Sequence, residues 1–145
     1  MMATAELNRA SILLVEDDPS LGRSLADLLR RSGYEVSIAT NGRAAMDFLS
    51  KQRVALVISD IFMPEGDGIE LLGFLRRITP QPPAMAMSGS GALRVNSMLK
   101  MAGVLGAART LAKPFQMMEF LGMVRELIGL PVSAPPANSA GPAVP

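Results

Sequence analysis

A chain of 145 residues has room for one domain and little for a second. With 14 basic against 13 acidic residues, no basic run, no Trp and one Tyr, it is poorly equipped for an aromatic and cationic nucleic-acid surface. It has no Cys and no His, which excludes disulfides, thiolate catalysis, Cys-ligated zinc, the commonest general base and any phosphohistidine on this chain.

No apolar run approaches the roughly 20 residues that span a bilayer. The segment from Met1 to Ala10 carries Glu6 and Arg9 and lacks an apolar signal core, so a cytoplasmic protein without membrane insertion is expected. Residues 1–9 read as an N-terminal arm.

The first strand is the apolar run Ser11-Ile12-Leu13-Leu14-Val15. Glu16-Asp17-Asp18 follows, then Pro19, an arrangement that suits Asp18 as an N-cap with Pro19 at the first helical position. Leu21, Leu25, Leu28 and Leu29 form an apolar stripe as far as Arg31, and Ser32-Gly33 supplies a C-cap. Glu35 to Ala39 alternates and reads as a half-buried strand near an edge. Thr40-Asn41-Gly42 contains a hairpin dipeptide, but helical periodicity follows it at Ala45, Phe48 and Leu49, so a helix cap is expected instead.

Val54 to Ser59 is predicted as a central strand buried on both faces, delivering Asp60 at its carboxyl end. Beyond the loop Met63-Pro64-Glu65-Gly66-Asp67-Gly68, a helix is predicted to about Ile78, with Leu71, Leu75 and Ile78 inward. Thr79-Pro80-Gln81-Pro82 breaks it. Pro83 to Met87 is the fourth strand, small residues on one face and methionines on the other, closed by Ser88-Gly89-Ser90-Gly91. A fourth helix from about Ala92 places Met98, Ala102 and Leu105 on one side, with a weak end at Gly103 and Gly106. Arg109 to Ala112 is a short fifth strand ended by Lys113-Pro114. The last helix, Phe115 to about Ile128, carries Met117, Leu121, Val124 and Ile128 in register. Residues 130–145 form a Pro/Ala-rich tail, expected to be disordered, and leave 10–129 as the folded domain. Of 11 methionines most lie in the second half, and Met85 and Met87 are read as core filling.

Five strands alternating with five helices imply an α/β fold: a doubly wound, flavodoxin-like parallel sheet of order 2-1-3-4-5. That order sets strands one and three side by side, so Glu16, Asp17 and Asp60 meet at the switch point, and Ser88 and Lys113 reach the same rim. Three converging carboxylates repel unless a cation joins them. Mg2+ takes oxygen ligands, commonly one or two carboxylates plus a phosphate. With it bound, Asp60 can act as a nucleophile toward a phosphoryl donor. Lys113 offers a positive charge, Ser88 a hydroxyl and Gly89 an unhindered N–H.

Val15-Glu16-Asp17-Asp18, Ser59-Asp60-Ile61-Phe62-Met63-Pro64 with Asp67-Gly68, Ser88-Gly89, and Gly106-Ala107 leading to Lys113-Pro114-Phe115 resemble the motifs of a response-regulator receiver domain. The resemblance spans roughly 10–129. It implies a phosphoacceptor rather than an enzyme, self-catalysed at most in gaining and losing phosphate. It makes Asp60 the phosphorylation site, Asp17 and Asp60 Mg2+ ligands with the Phe62 backbone carbonyl, and Glu16 a ligand through water. Ser88, Gly89 and Lys113 become the phosphoryl contacts, Asp18 stays a cap, and the Lys113-Pro114 bond is a cis candidate. Thr110 stands where the family usually has an aromatic residue, which puts an aromatic switch in question. Phe62 and Ser90 occupy positions that tune self-dephosphorylation, and neither orients water well, so a long-lived phosphoryl group is expected.

The resemblance further implies a stand-alone receiver in a two-component system or phosphorelay. It would be loaded by a sensor histidine kinase or histidine phosphotransfer protein and act on a downstream protein target. The signal would pass through the surface of the fourth helix, fifth strand and last helix, in a monomer or a phosphorylation-dependent dimer. Three competing readings fit less well. An FMN or phosphate-binding domain would want a Gly- or Ser/Thr-rich loop after the first strand, where Glu16-Asp17-Asp18 would repel the ligand's phosphate, and a phosphoaspartyl hydrolase would need a general acid and a cap domain. A pseudo-receiver, a pure interaction module that never takes phosphate, would have no need of intact acidic and lysine positions.

Overall fold

The computed structural model describes residues 11–61, 68–88, 100, 103 and 106–131. Its strands are β1 (Ser11–Val15), β2 (Glu35–Ala39), β3 (Leu56–Asp60), β4 (Ala84–Ser88) and β5 (Arg109–Ala112). Its helices are α1 (Pro19–Arg31), α2 (Gly42–Leu49), α3 (Gly68–Leu75) and α4 (Met117–Ile128). All strand pairs are parallel, in the expected order β2-β1-β3-β4-β5. The helix expected from Ala92, with Met98, Ala102 and Leu105, lies outside the described residues, except that Lys100 and Gly103 are helical.

Local chemistry sets the element ends. Asp18 Oδ1 accepts from the Ser20 and Leu21 amides at 3.0 and 3.4 Å, with Pro19 opening α1. Gly33, at φ 102°, stops α1 in a left-handed conformation that favours glycine. Asn41 Oδ1 accepts from the Ala44 amide at 2.7 Å, so Asn-Gly starts α2 and no hairpin forms.

Boundaries differ from expectation in four elements, among them the fourth strand, which is Ala84–Ser88 rather than Pro83 to Met87, its ladder with β3 beginning at Val57↔Ala84. The central strand is Leu56–Asp60 rather than Val54 to Ser59, because ladder pairing with β1 begins at Ile12↔Leu56. The helix after it ends at Leu75, not Ile78. There the bonding tightens to Arg77 N–H on the Phe74 carbonyl and Ile78 N–H on the Leu75 carbonyl, as the chain approaches Pro80. The last helix starts at Met117, not Phe115, and Met117 is 41% exposed rather than inward. Phe120, Leu121, Met123 and Val124 make its buried face, and Phe115 stacks on Phe120 with ring centroids 5.6 Å apart.

The sheet separates two cores. Ile12, Leu14, Leu56, Ile58, Met85 and Met87 pack under α1 and α4, while Leu13, Val15, Val57, Ala84 and Ala86 pack under α2 and α3. Strands buried on both faces therefore read as continuous apolar runs, and the alternation in β4 sorts methionines from alanines as expected. Tyr34 donates its hydroxyl to the Gly129 carbonyl at 2.5 Å, tying the end of α4 to the start of β2.

Candidate functional site

At the carboxyl edge of the sheet, β1 ends on Glu16 and Asp17, β3 on Asp60, β4 on Ser88, and β5 leads into Lys113. Backbone bonds lock these ends together. Glu16 N–H donates to the Ala39 carbonyl at 3.0 Å, Ile61 N–H to Met87 at 2.8 Å, and Lys113 N–H to Ser88 at 2.7 Å. The Lys113-Pro114 peptide is cis, as anticipated.

Lys113 Nζ donates to Asp60 Oδ2 at 2.7 Å and to Glu16 Oε1 at 3.0 Å. Glu16 is 1% exposed and Asp60 6%. The second Glu16 oxygen accepts from the Asp18 amide at 3.2 Å, which aims the carboxylate across the site. Carboxylate oxygens of Glu16, Asp17 and Asp60 lie within 4.8 Å of one another, with Asp17 exposed and the other two buried. Burial raises the Glu16 pKa above the ordinary 4.5, against the lowering effect of Lys113 and the Asp18 amide. Burial alone would depress Lys113, but its hydrogen bonds to Asp60 and Glu16, with their charges, raise it above 10.5. The lysine is thus held firmly cationic.

Ser88 Oγ is fully buried and has no hydrogen-bond partner among the described residues. A buried hydroxyl left unpaired is costly and points to a group the site is built to receive. Three carboxylates of hard oxygen donors beside one lysine suit a divalent cation of the Mg2+ type. Thr110 sits half-buried on β5, paired with Ala86. Phe62, Gly89 and Ser90 lie outside the described residues.

Two residues were not recognised from the sequence as shaping the site. A Cβ on Gly68 would lie 2.5 Å from the Asp60 carbonyl oxygen and 2.7 Å from Ile61 Cα, so α3 docks directly on the Asp60–Ile61 peptide. Ser59, buried, donates its hydroxyl to the Asp60 carbonyl at 2.9 Å. The visible signal for Ser59 was a polar residue interrupting an otherwise apolar run. Gly68 belongs to the Asp67-Gly68 pair, but no spacing in the sequence places it against the Asp60–Ile61 peptide.

A doubly wound parallel sheet with an acidic cluster and a lysine at its switch point defines a flavodoxin-like α/β domain. The family profile of the response regulator receiver domain matches residues 12–125. Response regulator protein FleR of Pseudomonas aeruginosa is 38% identical over 117 residues, covering 79% of this chain and 24% of FleR. Response regulator receiver protein CpdR of Brucella abortus is 32% identical over 117 residues, covering 81% of this chain and 95% of CpdR. The chain therefore spans about a quarter of the first relative and nearly all of the second. Among solved structures, a response regulator receiver domain protein from Clostridium thermocellum superposes with a TM-score of 0.73 at 26% identity, covering 82% of this chain and 94% of that one. The chain belongs to the response regulator receiver-domain family of two-component systems. Such domains are phosphoacceptors rather than enzymes in the ordinary sense, generally bind Mg2+ at an acidic site, and interact with sensor kinases or phosphotransfer proteins.

Proposed function

We propose that this protein takes a phosphoryl group on Asp60 from a phosphohistidine of a partner kinase or phosphotransfer protein. The observation that carries this is the convergence on Asp60 of Lys113 at 2.7 Å and of the Glu16 and Asp17 carboxylates. An Asp60 oxygen forms the new P–O bond as the donor's P–N bond breaks, and the released imidazole takes a proton from solvent. Lys113 moves its charge from the carboxylate to the incoming phosphoryl oxygens, and Ser88 Oγ gains the partner it lacks. Asp17 and Asp60 would hold Mg2+ directly with the Phe62 carbonyl, and Glu16 through water. The ion supplies neutralisation of charge on carboxylates and phosphoryl oxygens. Gly89 offers its N–H to the phosphoryl group.

The domain extends over 10–129, between an arm at 1–9 and a Pro/Ala-rich tail at 130–145. The signal leaves through the surface of the 92–105 segment, β5 and α4, where Thr110 replaces the usual aromatic switch. It reaches a downstream protein target, not nucleic acid, in a monomer or phosphorylation-dependent dimer. The proposed site of action is the cytoplasm; no helix among the described residues is long and apolar enough to cross a membrane. With Phe62 and Ser90 at the tuning positions, the phosphoryl group is long-lived; label loss within seconds in Mg2+ buffer would contradict this.

Intact mass after incubation with acetyl phosphate tests the reading. One Mg2+-dependent phosphoryl adduct on wild type and none on Asp60→Ala is expected. An adduct that persists in Asp60→Ala would remove the site assignment, and none on folded, Mg2+-loaded wild type would favour a pseudo-receiver.

A further inference from the structure

We propose that Ser59 is a positioning residue for Asp60, acting through the hydrogen bond from its hydroxyl to the Asp60 carbonyl. The inference rests on the reading of Asp60 as phosphoacceptor.

Ser59 is 3% exposed, in a strand whose other members before Asp60 are Leu56, Val57 and Ile58. Strand alternation gives it the face of Val57, under α2 and α3, whose neighbours Val15, Ile61 and Leu71 are all apolar. An apolar side chain there would simply extend the core. A hydroxyl in that place carries a desolvation cost that its bond to the Asp60 carbonyl, at 2.9 Å, offsets.

The bond sits where β3 has left its ladder with β1 while still paired with β4 through Asp60↔Met87. The last ladder pair between β1 and β3 is Val15↔Ser59, so Asp60 lies one residue past it. Beyond Val15 the β1 chain turns into the acidic segment, and Glu16 spends its amide on Ala39 of β2. Other contacts hold the same stretch: Ile61 N–H, in the peptide plane of the Asp60 carbonyl, donates to the Met87 carbonyl at 2.8 Å, Gly68 N–H donates to the Ile61 carbonyl one peptide further on at 2.9 Å, and Gly68 packs closely on the Asp60 carbonyl. Ser59 adds a direct bond to the carbonyl of the acceptor residue, and so helps to hold the peptide plane beside which the carboxylate projects.

Phosphoryl transfer to a carboxylate depends on placement more than on covalent assistance, so a small rotation at Asp60 misdirects its oxygens relative to Lys113, Glu16 and Asp17. Ser59 touches no phosphoryl donor. Its effect therefore falls on the limiting rate and not on donor affinity.

The test measures the initial rate of adduct formation by intact mass against acetyl phosphate concentration, at saturating Mg2+. It compares wild type with Ser59→Ala, Ser59→Cys and Ser59→Thr, with a thermal melt of each. Losing one such hydrogen bond is expected to lower the limiting rate about fivefold in Ser59→Ala, with half-saturation unchanged. Ser59→Thr, which keeps the hydroxyl, returns to within about twofold of wild type on the same argument, and Ser59→Cys, of similar volume but a weak donor, resembles Ser59→Ala. If Ser59→Ala does not fold, Ser59→Cys decides. Wild-type limiting rates in the folded Ala or Cys variant, or losses that only track the unfolded fraction in the melt, would overturn the proposal. Absence of any adduct on wild type would instead overturn the phosphoacceptor reading, and this inference with it.

Discussion

Lys113 bridges two buried carboxylates, and that double duty makes it the residue whose loss is most informative. In Lys113→Met, Glu16 and Asp60 remain buried without their cation, a situation that costs about 3 kcal/mol at neutral pH. Millimolar Mg2+ should recover much of this stability without restoring acceptor activity; a Mg2+-insensitive melt would contradict the shared-site account. Glu16 works in the opposite direction. Its raised pKa means the folded state favours the protonated acid, so its contribution to stability is greatest below 4.5 and declines as pH rises through the raised value. Glu16→Gln should accordingly raise the melting temperature in Mg2+-free neutral buffer while weakening the response to Mg2+. Gly68→Ala forces a Cβ to 2.5 Å from the Asp60 carbonyl, against backbone on both sides, and should cost about 1–3 kcal/mol along with acceptor reactivity. The residues at strand ends were legible in the sequence because a buried run that stops on a carboxylate or lysine fixes where that group emerges. Ser59 and Gly68 were not legible as positioning groups, because their roles arise from contacts with the Asp60–Ile61 peptide that no spacing encodes.

The elements with strong local signals fell where the chain pattern put them. Pro19 after Asp18 and Ser32-Gly33 bracket α1 to the residue, and Asp18→Ala should cost about 1 kcal/mol by releasing the Ser20 and Leu21 amides. The differences lie at ends decided by a proline a few residues on or by tertiary packing. Periodicity alone kept the third helix running to Ile78, whereas the approach to Pro80 tightens the chain after Leu75. In α4, Met117 and Leu121 share a stripe on paper, yet the packing of Phe120 on Phe115 turns the helix so that Met117 faces outward. This predicts a sharp contrast in the denaturation midpoint. Phe120→Ala, fully buried between α1 and the sheet, should lose about 3–5 kcal/mol, while Met117→Ala should lose under about 0.5.

At the scale of the molecule, the parallel sheet joins two cores into one cooperative unit whose upper edge carries the charge cluster. Its order was readable from the alternation of strands and helices, since the doubly wound solution is the common one for five such units. Two groups set its alkaline limit. Lys113, raised above 10.5, contributes stability that is fully present below that value and lost as pH climbs through its folded pKa. Tyr34, raised above 10.0 by burial, favours the neutral phenol and loses its contribution over a similar range. Melting temperature should therefore hold to about pH 9–10 and fall beyond it, and Tyr34→Phe should blunt part of the fall.

The central claim is that Asp60 itself becomes the acyl phosphate. Borohydride reduction after loading with acetyl phosphate and Mg2+, followed by peptide sequencing in the mass spectrometer, converts an aspartyl phosphate to homoserine where it stands. Homoserine at position 60 in place of Asp60, and at neither Asp17 nor Asp18, is the predicted result. Homoserine at another position, or loading without any at position 60, would contradict the account.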